Sequence, residues 1–305
     1  MAKSSTFLIF ILASFFGFSQ SKGDQLRNEG NLTQAIEAYK SDFIKNPENS
    51  RNTYNLACAF ALTFAQKDSA FHYLTIALKN DDSLWALADN DLISLTDDPR
   101  WKTIQEQQLT KFQAKKGKLQ QSEYARKLLM LIMKDQAMDY QIDLAKKYYM
   151  KNGQIPHWYY PIAHLKKQLS SDNFEQMEQL IKIYGWPTYS KVGKLAADGP
   201  LLIINHHEDD AIRIKYLQQI KTACLKKEGS CMEYAKIQDR ILVNQGKPQI
   251  YGMQFRYDTN RKLVPFPVEE PEYVDQKRLA IGLEPIKDYL KRKINFDWKV
   301  MQKRK

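Results

Sequence analysis

Apolar residues recur at i, i+1, i+4 and i+8 over Ala35, Ile36, Tyr39 and Phe43, and again over Ala70, Phe71, Leu74 and Leu78. That spacing is the stripe of an amphipathic helix, and the two stripes are offset by 35 residues. Pro47 and Asp82 stand at matching places after each stripe, so both helices are expected to stop at a turn former. The alanine-rich run from Asn52 to Phe64 between them predicts a partner helix whose small side chains allow close packing.

Further along, Ser122 to Met150, Asn173 to Tyr184, Asp210 to Lys227 and Glu233 to Asn244 read as helices. Gly185 suits the left-handed residue that follows a helix end, and Pro200 suits the first position of another short helix. One stretch departs from this period. Ile250 to Tyr257 alternates, with Tyr251, Met253, Phe255 and Tyr257 on one face; Asp258-Thr259-Asn260 turns, and Leu263 to Val268 returns as an edge strand because it holds Pro265 and Pro267. The expected fold is mainly α: an N-terminal helical repeat over 20–115, then an α-rich domain over 116–305 with one small β-hairpin at 249–268. The polar stretch Lys111 to Gln121 is the expected boundary.

The 35-residue offset, Gly30-Asn31, the Ala35/Tyr39 pair and Pro47 resemble the tetratricopeptide repeat, with Leu84 to Trp101 as a worn last unit. The resemblance covers roughly 24–105 and implies an α-solenoid that offers a concave surface to a protein partner. A short array packed as a scaffold accounts for the same residues.

The chain opens with Lys3 and an apolar run from Phe7 to Phe18, the length of a signal h-region and too short to span a bilayer. Gly17 and Ser19 suit peptidase cleavage, so residues 1–19 are expected to be removed and the chain to be periplasmic or secreted, with no later transmembrane segment. In an oxidising compartment the three cysteines matter. Cys224 and Cys231 can close a small disulfide, Cys58 reads as a buried thiol, and no cysteine spacing resembles a zinc site.

Charge is uneven. Residues 20–115 hold 11 Lys/Arg and 13 Asp/Glu, whereas 116–305 hold 34 and 22. The positive excess therefore belongs to the second domain, where it is either a solvated surface or a seat for an envelope polyanion. No nucleic-acid-binding signature accompanies it, and nucleic acid is not an expected partner.

A second resemblance rests on Asp135-Gln136, Tyr184-Gly185-Trp186-Pro187, His206, Asp239-Arg240, Gln249-Ile250-Tyr251-Gly252 with Gln254, and the stretch from Asp275 to Leu290. Together these resemble the bacterial domain of unknown function 6624 over about 120–290, with Gly153 to Leu169 as an insertion. The resemblance implies a fold unit and a set of positions, and no activity.

Two functional readings follow. In the first, the repeat segment docks a protein partner and the chain is a non-catalytic adaptor. In the second, the C-terminal domain is a small-ligand-binding protein or hydrolase-like enzyme: His206 and Asp135 are the candidate catalytic residues, and Gln136, Gln249, Tyr251 and Gln254 line the ligand pocket. Imidazole near pH 7 serves as base or acid. Asp210 lies four residues past His206 and on a continuing helix would share its face as a two-ligand pair; the competing reading makes Asp209 or Asp210 the cap of the next helix. Ile155 to Ile162 sets Trp158, Tyr159 and Tyr160 between two prolines, either as an exposed platform or as a loop folded onto the domain. No nucleophile elbow, phosphate loop, metal set or cofactor motif is present.

Overall fold

Short side-chain caps start the N-terminal helices. Ser21 accepts from the N–H of Asp24 to open α1 (Lys22–Asn28), Asn31 from Gln34 to open α2 (Leu32–Lys45), and Asn49 from Asn52 to open α3 (Ser50–Leu62). α4 (Lys67–Ala77) completes the series. In this computed structural model the described residues are 21–137 and 154–303, with Ile142 and Tyr149. The proposed export signal, residues 1–19, lies outside them.

The chain divides into two compact units, to Asn80 and from Asp81. In the first, each helix packs on its neighbour in sequence, burying Ala35, Ile36 and Tyr39 of α2, Leu56, Ala57 and Phe60 of α3, and Ala70, Phe71 and Leu74 of α4. Apart from half-buried Phe43, the two stripes read from the sequence are thus the buried faces. Tyr39 is fully enclosed; its hydroxyl donates to Asp24 at 2.7 Å, and Asn55 donates to the same carboxylate oxygen. Cys58 is buried and takes no part in a disulfide.

The second unit begins ahead of the polar stretch 111–121. Two 3-10 turns, Trp85–Ala88 and Asn90–Leu95, precede α5 (Arg100–Lys116), and Gln108 of α5 donates to the carbonyls of Asp81 and Ser83. Gly117, at φ +98°, ends α5. α6 (Ser122–Gln136) follows, and its buried Leu128, Leu129, Ile132 and Met133 put it at the centre of this unit. Around it pack the two 3-10 turns, α7 (Tyr159–Tyr184), α8 (Tyr189–Val192) and α9 (Lys194–His206). α10 (Asp210–Leu225) lies on α9, and α11 (Cys231–Asn244) on α10. Cys224 and Cys231 are disulfide-bonded with Cα atoms 4.7 Å apart, inside the range a bridge requires.

Three expectations need correction. Pro200 does not open a helix; it lies inside α9, which starts at Lys194. Position 196 loses one carbonyl partner there, and burial of Ala196, Leu201, Ile203 and Ile204 outweighs it. Pro161 likewise sits in the first turn of α7, where a missing N–H is harmless, so Tyr159 to Ile162 is helical rather than a loop; Tyr160 is exposed.

The hairpin is shorter than its alternation suggests. β1 (Phe255–Tyr257) pairs antiparallel with β2 (Leu263–Pro265), register Phe255 to Pro265 and Tyr257 to Leu263. The preceding residues 250–253 form a loop instead. Gly252 stands at φ +76° with Ile286 so close that a Cβ would lie 2.5 Å from its Cδ1. The amides of Ile250, Tyr251 and Met253 all point into the buried carboxylate of Asp239. α12 (Val274–Leu279) and α13 (Ile286–Ile294) close the unit. No described helix is long and apolar enough to cross a membrane.

Candidate functional site

α6 and α9 approach closely because Gly199 faces Ile132: a Cβ there would stand 2.8 Å from Ile132 Cγ1. Three residues beyond Ile132 comes Asp135, and seven beyond Gly199 comes His206, the last residue of α9. The crossing brings them together, with Asp135 Oδ2 2.9 Å from His206 Nδ1. Asp135 is 2% exposed and His206 21%. An ionised carboxylate only accepts hydrogen bonds, so against it Nδ1 is the ring nitrogen that donates.

Both residues sit at helix C-terminal ends, where carbonyls lack helical partners and cations are favoured. Lys166 of α7 closes the end of α6, donating to the carbonyls of Asp135 and Ala137. Asn173 of α7, fully buried, reaches the Leu131 carbonyl. At the end of α9, Arg213 Nη2 donates to the Asn205 carbonyl at 3.0 Å and to the His207 carbonyl, while Arg240 Nη1 donates to the Asn205 carbonyl at 2.5 Å. Burial, and then the neighbouring Arg213, push Arg240 down to about 9.

His207 turns away, its ring 4.7 Å from that of Phe174 and its Nδ1 accepting from the Asp209 amide. Asp209 caps α10 by accepting from Ala211 N at 2.8 Å, so the capping alternative holds. Asp210 is engaged by Arg213 Nη1 at 2.5 Å and by Asn244 at 2.9 Å. Neither acid is placed as a second ligand beside His206.

Gln249, Tyr251 and Gln254 form a separate group. Gln249 accepts from Gln254 N and donates to the carbonyls of Gln254 and Phe266; Gln254 donates to Lys236 O. Tyr251 is buried beside Tyr234, its amide held by Asp239 and its carbonyl by Arg278. Gln136 ends α6, half-buried. Among the described residues no hydrogen bond joins Gln249, Tyr251 or Gln254 to Asp135 or His206. The amide side chains of Gln249 and Gln254 brace the hairpin through backbone groups.

Sequence reasoning did not single out Arg213, Arg240 or Arg278 as site or clamp residues. Arg213 had a readable sign, since it follows Asp210 at i+3. Arg278 follows Asp275 at the same spacing, but it is fully buried and its bonds go elsewhere: it donates to Tyr251 O and Glu284 O and stacks 4.8 Å over Tyr289.

Fold and site together define an α-rich domain with one hairpin, holding a buried carboxylate against a part-exposed imidazole. Residues 122–300 match the model of a family described as Family of unknown function (DUF6624), and the chain belongs to that family. Comparison with curated proteins and with solved structures returned no match.

Proposed function

We propose that the C-terminal domain is a small-ligand-binding, hydrolase-like enzyme domain in which His206 exchanges a proton with a bound molecule or water. The observation that supports this is the 2.9 Å contact between Asp135 and His206, residues 71 apart in the chain. Asp135 holds the ring in one tautomer and balances the imidazolium formed when Nε2 takes a proton; the same nitrogen then returns that proton to a leaving group. Asp135 acts through the imidazole and is a positioning residue.

The test is a panel of ester, amide, phosphoester and glycoside substrates offered to the whole protein, with His206→Ala and Asp135→Asn beside it. Loss of general acid–base catalysis removes roughly 10²–10⁴-fold of the rate, so a hydrolysis that falls by that factor in His206→Ala supports the reading. A hydrolysis indifferent to His206, or no turnover and no ligand-induced change in the His206 ring signals across the panel, refutes it.

A second reading assigns the N-terminal unit a tetratricopeptide-like docking role. It is favoured by three large apolar side chains left in water on its helices and loops: Ile44 at 80% exposure, Phe64 at 69% and Ile76 at 36%. An adaptor would lose one specific partner on Phe64→Glu with the fold intact; unchanged capture rejects that role. In either reading the chain is exported, which the Cys224–Cys231 bridge supports because such bridges persist in oxidising compartments.

A further inference from the structure

We infer that Arg213 and Arg240 are positioning residues for His206: reaching in from two helices, they fix the carbonyls on either side of it and so set its ring against Asp135. This rests on the proton-exchange reading of His206 for its meaning, and on backbone geometry for its content.

His206 is the last helical residue before the chain turns toward α10, a place where helices ordinarily fray. A ring on a frayed turn would sample several orientations. Here the preceding carbonyl, Asn205, receives two guanidinium donors, and the following carbonyl, His207, receives one. Arg213 spans both carbonyls and also meets Asp210, so a single planar fork grips three acceptors. Both arginines are buried, at 4% and 7% exposure, so solvent does not compete for these bonds.

The tie is also independent of local sequence. Arg240 comes from α11, 35 residues beyond Asn205, and Arg213 from α10, so the end of α9 is referenced to two helices at once. Lys166 does the corresponding work for Asp135 from α7. Each partner of the dyad therefore has its helix end held by a cation from another helix. The depressed Arg240 guanidinium fits a cation kept dry beside a like charge for a geometric purpose.

Lysine carries the same charge as a single point and cannot span Asn205, His207 and Asp210 as the fork does. The experiment is nitrogen NMR of the His206 ring in the whole protein, comparing wild type, Arg213→Lys, Arg240→Lys and Asp135→Asn at a temperature well below each unfolding midpoint. Wild type is expected to show the Nδ1–H tautomer, and Asp135→Asn a changed ring signal, which locates the dyad. Arg213→Lys is expected to mix the tautomers although residue 213 does not touch the ring. Arg240→Lys, which keeps a donor within reach of the single Asn205 carbonyl, is expected to retain most of the wild-type signal.

A folded Arg213→Lys with the wild-type tautomer overturns the inference and leaves the arginines as helix caps only. If Arg213→Lys fails to fold, Arg240→Gln gives the same reading from α11: a mixed ring signal supports the clamp, an unchanged one overturns it. These readouts need no substrate. A clamp that passes while the substrate panel fails would retain the geometry and remove the catalysis; the reverse result would keep the catalysis and discard the clamp.

Discussion

Gly199→Ala separates the packing that forms the site from the packing that holds the fold. The added methyl would stand 2.8 Å from Ile132 Cγ1 and 3.1 Å from Cδ1, whereas ordinary contacts run 3.4–4 Å. The helices must therefore part by about 0.6 Å or more at that level, because Cγ1 is near the backbone and rotation of Ile132 would only exchange one contact for another. Gly199 lies in a right-handed helical turn directly before Pro200, whose Cδ crowds a preceding Cβ, so the gain of about 1 kcal/mol in helix propensity is offset by that crowding. Overpacking against Ile132 then adds a loss of about 1–3 kcal/mol.

The same shift carried to the helix ends stretches the Asp135–His206 contact from 2.9 Å to about 3.5 Å or beyond, where it ceases to be a hydrogen bond. A small loss in urea unfolding together with a disturbed His206 tautomer is the expected pair of results. Adding Ile132→Ala removes both contacted carbons, so the double variant should recover the tautomer while losing core stability of about 2–5 kcal/mol. A Gly199→Ala protein that keeps the wild-type ring signal would refute the argument that this crossing sets the dyad.

Three further outcomes follow from the geometry. Reducing Cys224–Cys231, or replacing both by serine, should cost about 2–3 kcal/mol from the short loop it closes; a melting midpoint indifferent to reductant would contradict this. Asp239→Ala leaves the amides of Ile250, Tyr251 and Met253 without their buried acceptor, at roughly 1–3 kcal/mol each, so a loss of about 3 kcal/mol or more is expected, with faster exchange at those amides. Burial, and then Glu233, raise Asp198 from 3.8 to about 6, so the folded protein holds that proton more tightly than the unfolded chain. Its contribution is present below about pH 4 and is lost as pH rises toward 6; Asp198→Asn should flatten that part of the stability curve, and an unchanged slope would exclude it.

Helix starts were legible where the cap is local. Asp209 is the worked case, one of the two acids the sequence offered as caps, and the acceptor lies within two residues of its donor. The loop at 250–253 was illegible for the opposite reason. Its residues alternate as a strand's do, with Gly252 the one local sign of a close backbone approach, and what diverts them is a carboxylate on α11, eleven residues before Ile250, that collects their N–H groups. The Asp135–His206 pair was legible as residue types and positions, while the crossing that joins them depends on one missing Cβ at Gly199. Positive charge was legible in amount and misleading in purpose. Some of the cations that make the C-terminal half basic point inward: Lys166, Arg213, Arg240 and Arg278 donate to backbone carbonyls at helix ends and at the 250–253 loop. A helix terminus inside a small domain leaves carbonyls that water cannot reach, and a long cationic side chain from a neighbouring helix is a direct way to satisfy them. The formal charge therefore overstates how many cations this domain turns outward: Arg213 and Arg240 hold the carbonyls beside His206, and Arg278 holds the 250–253 loop.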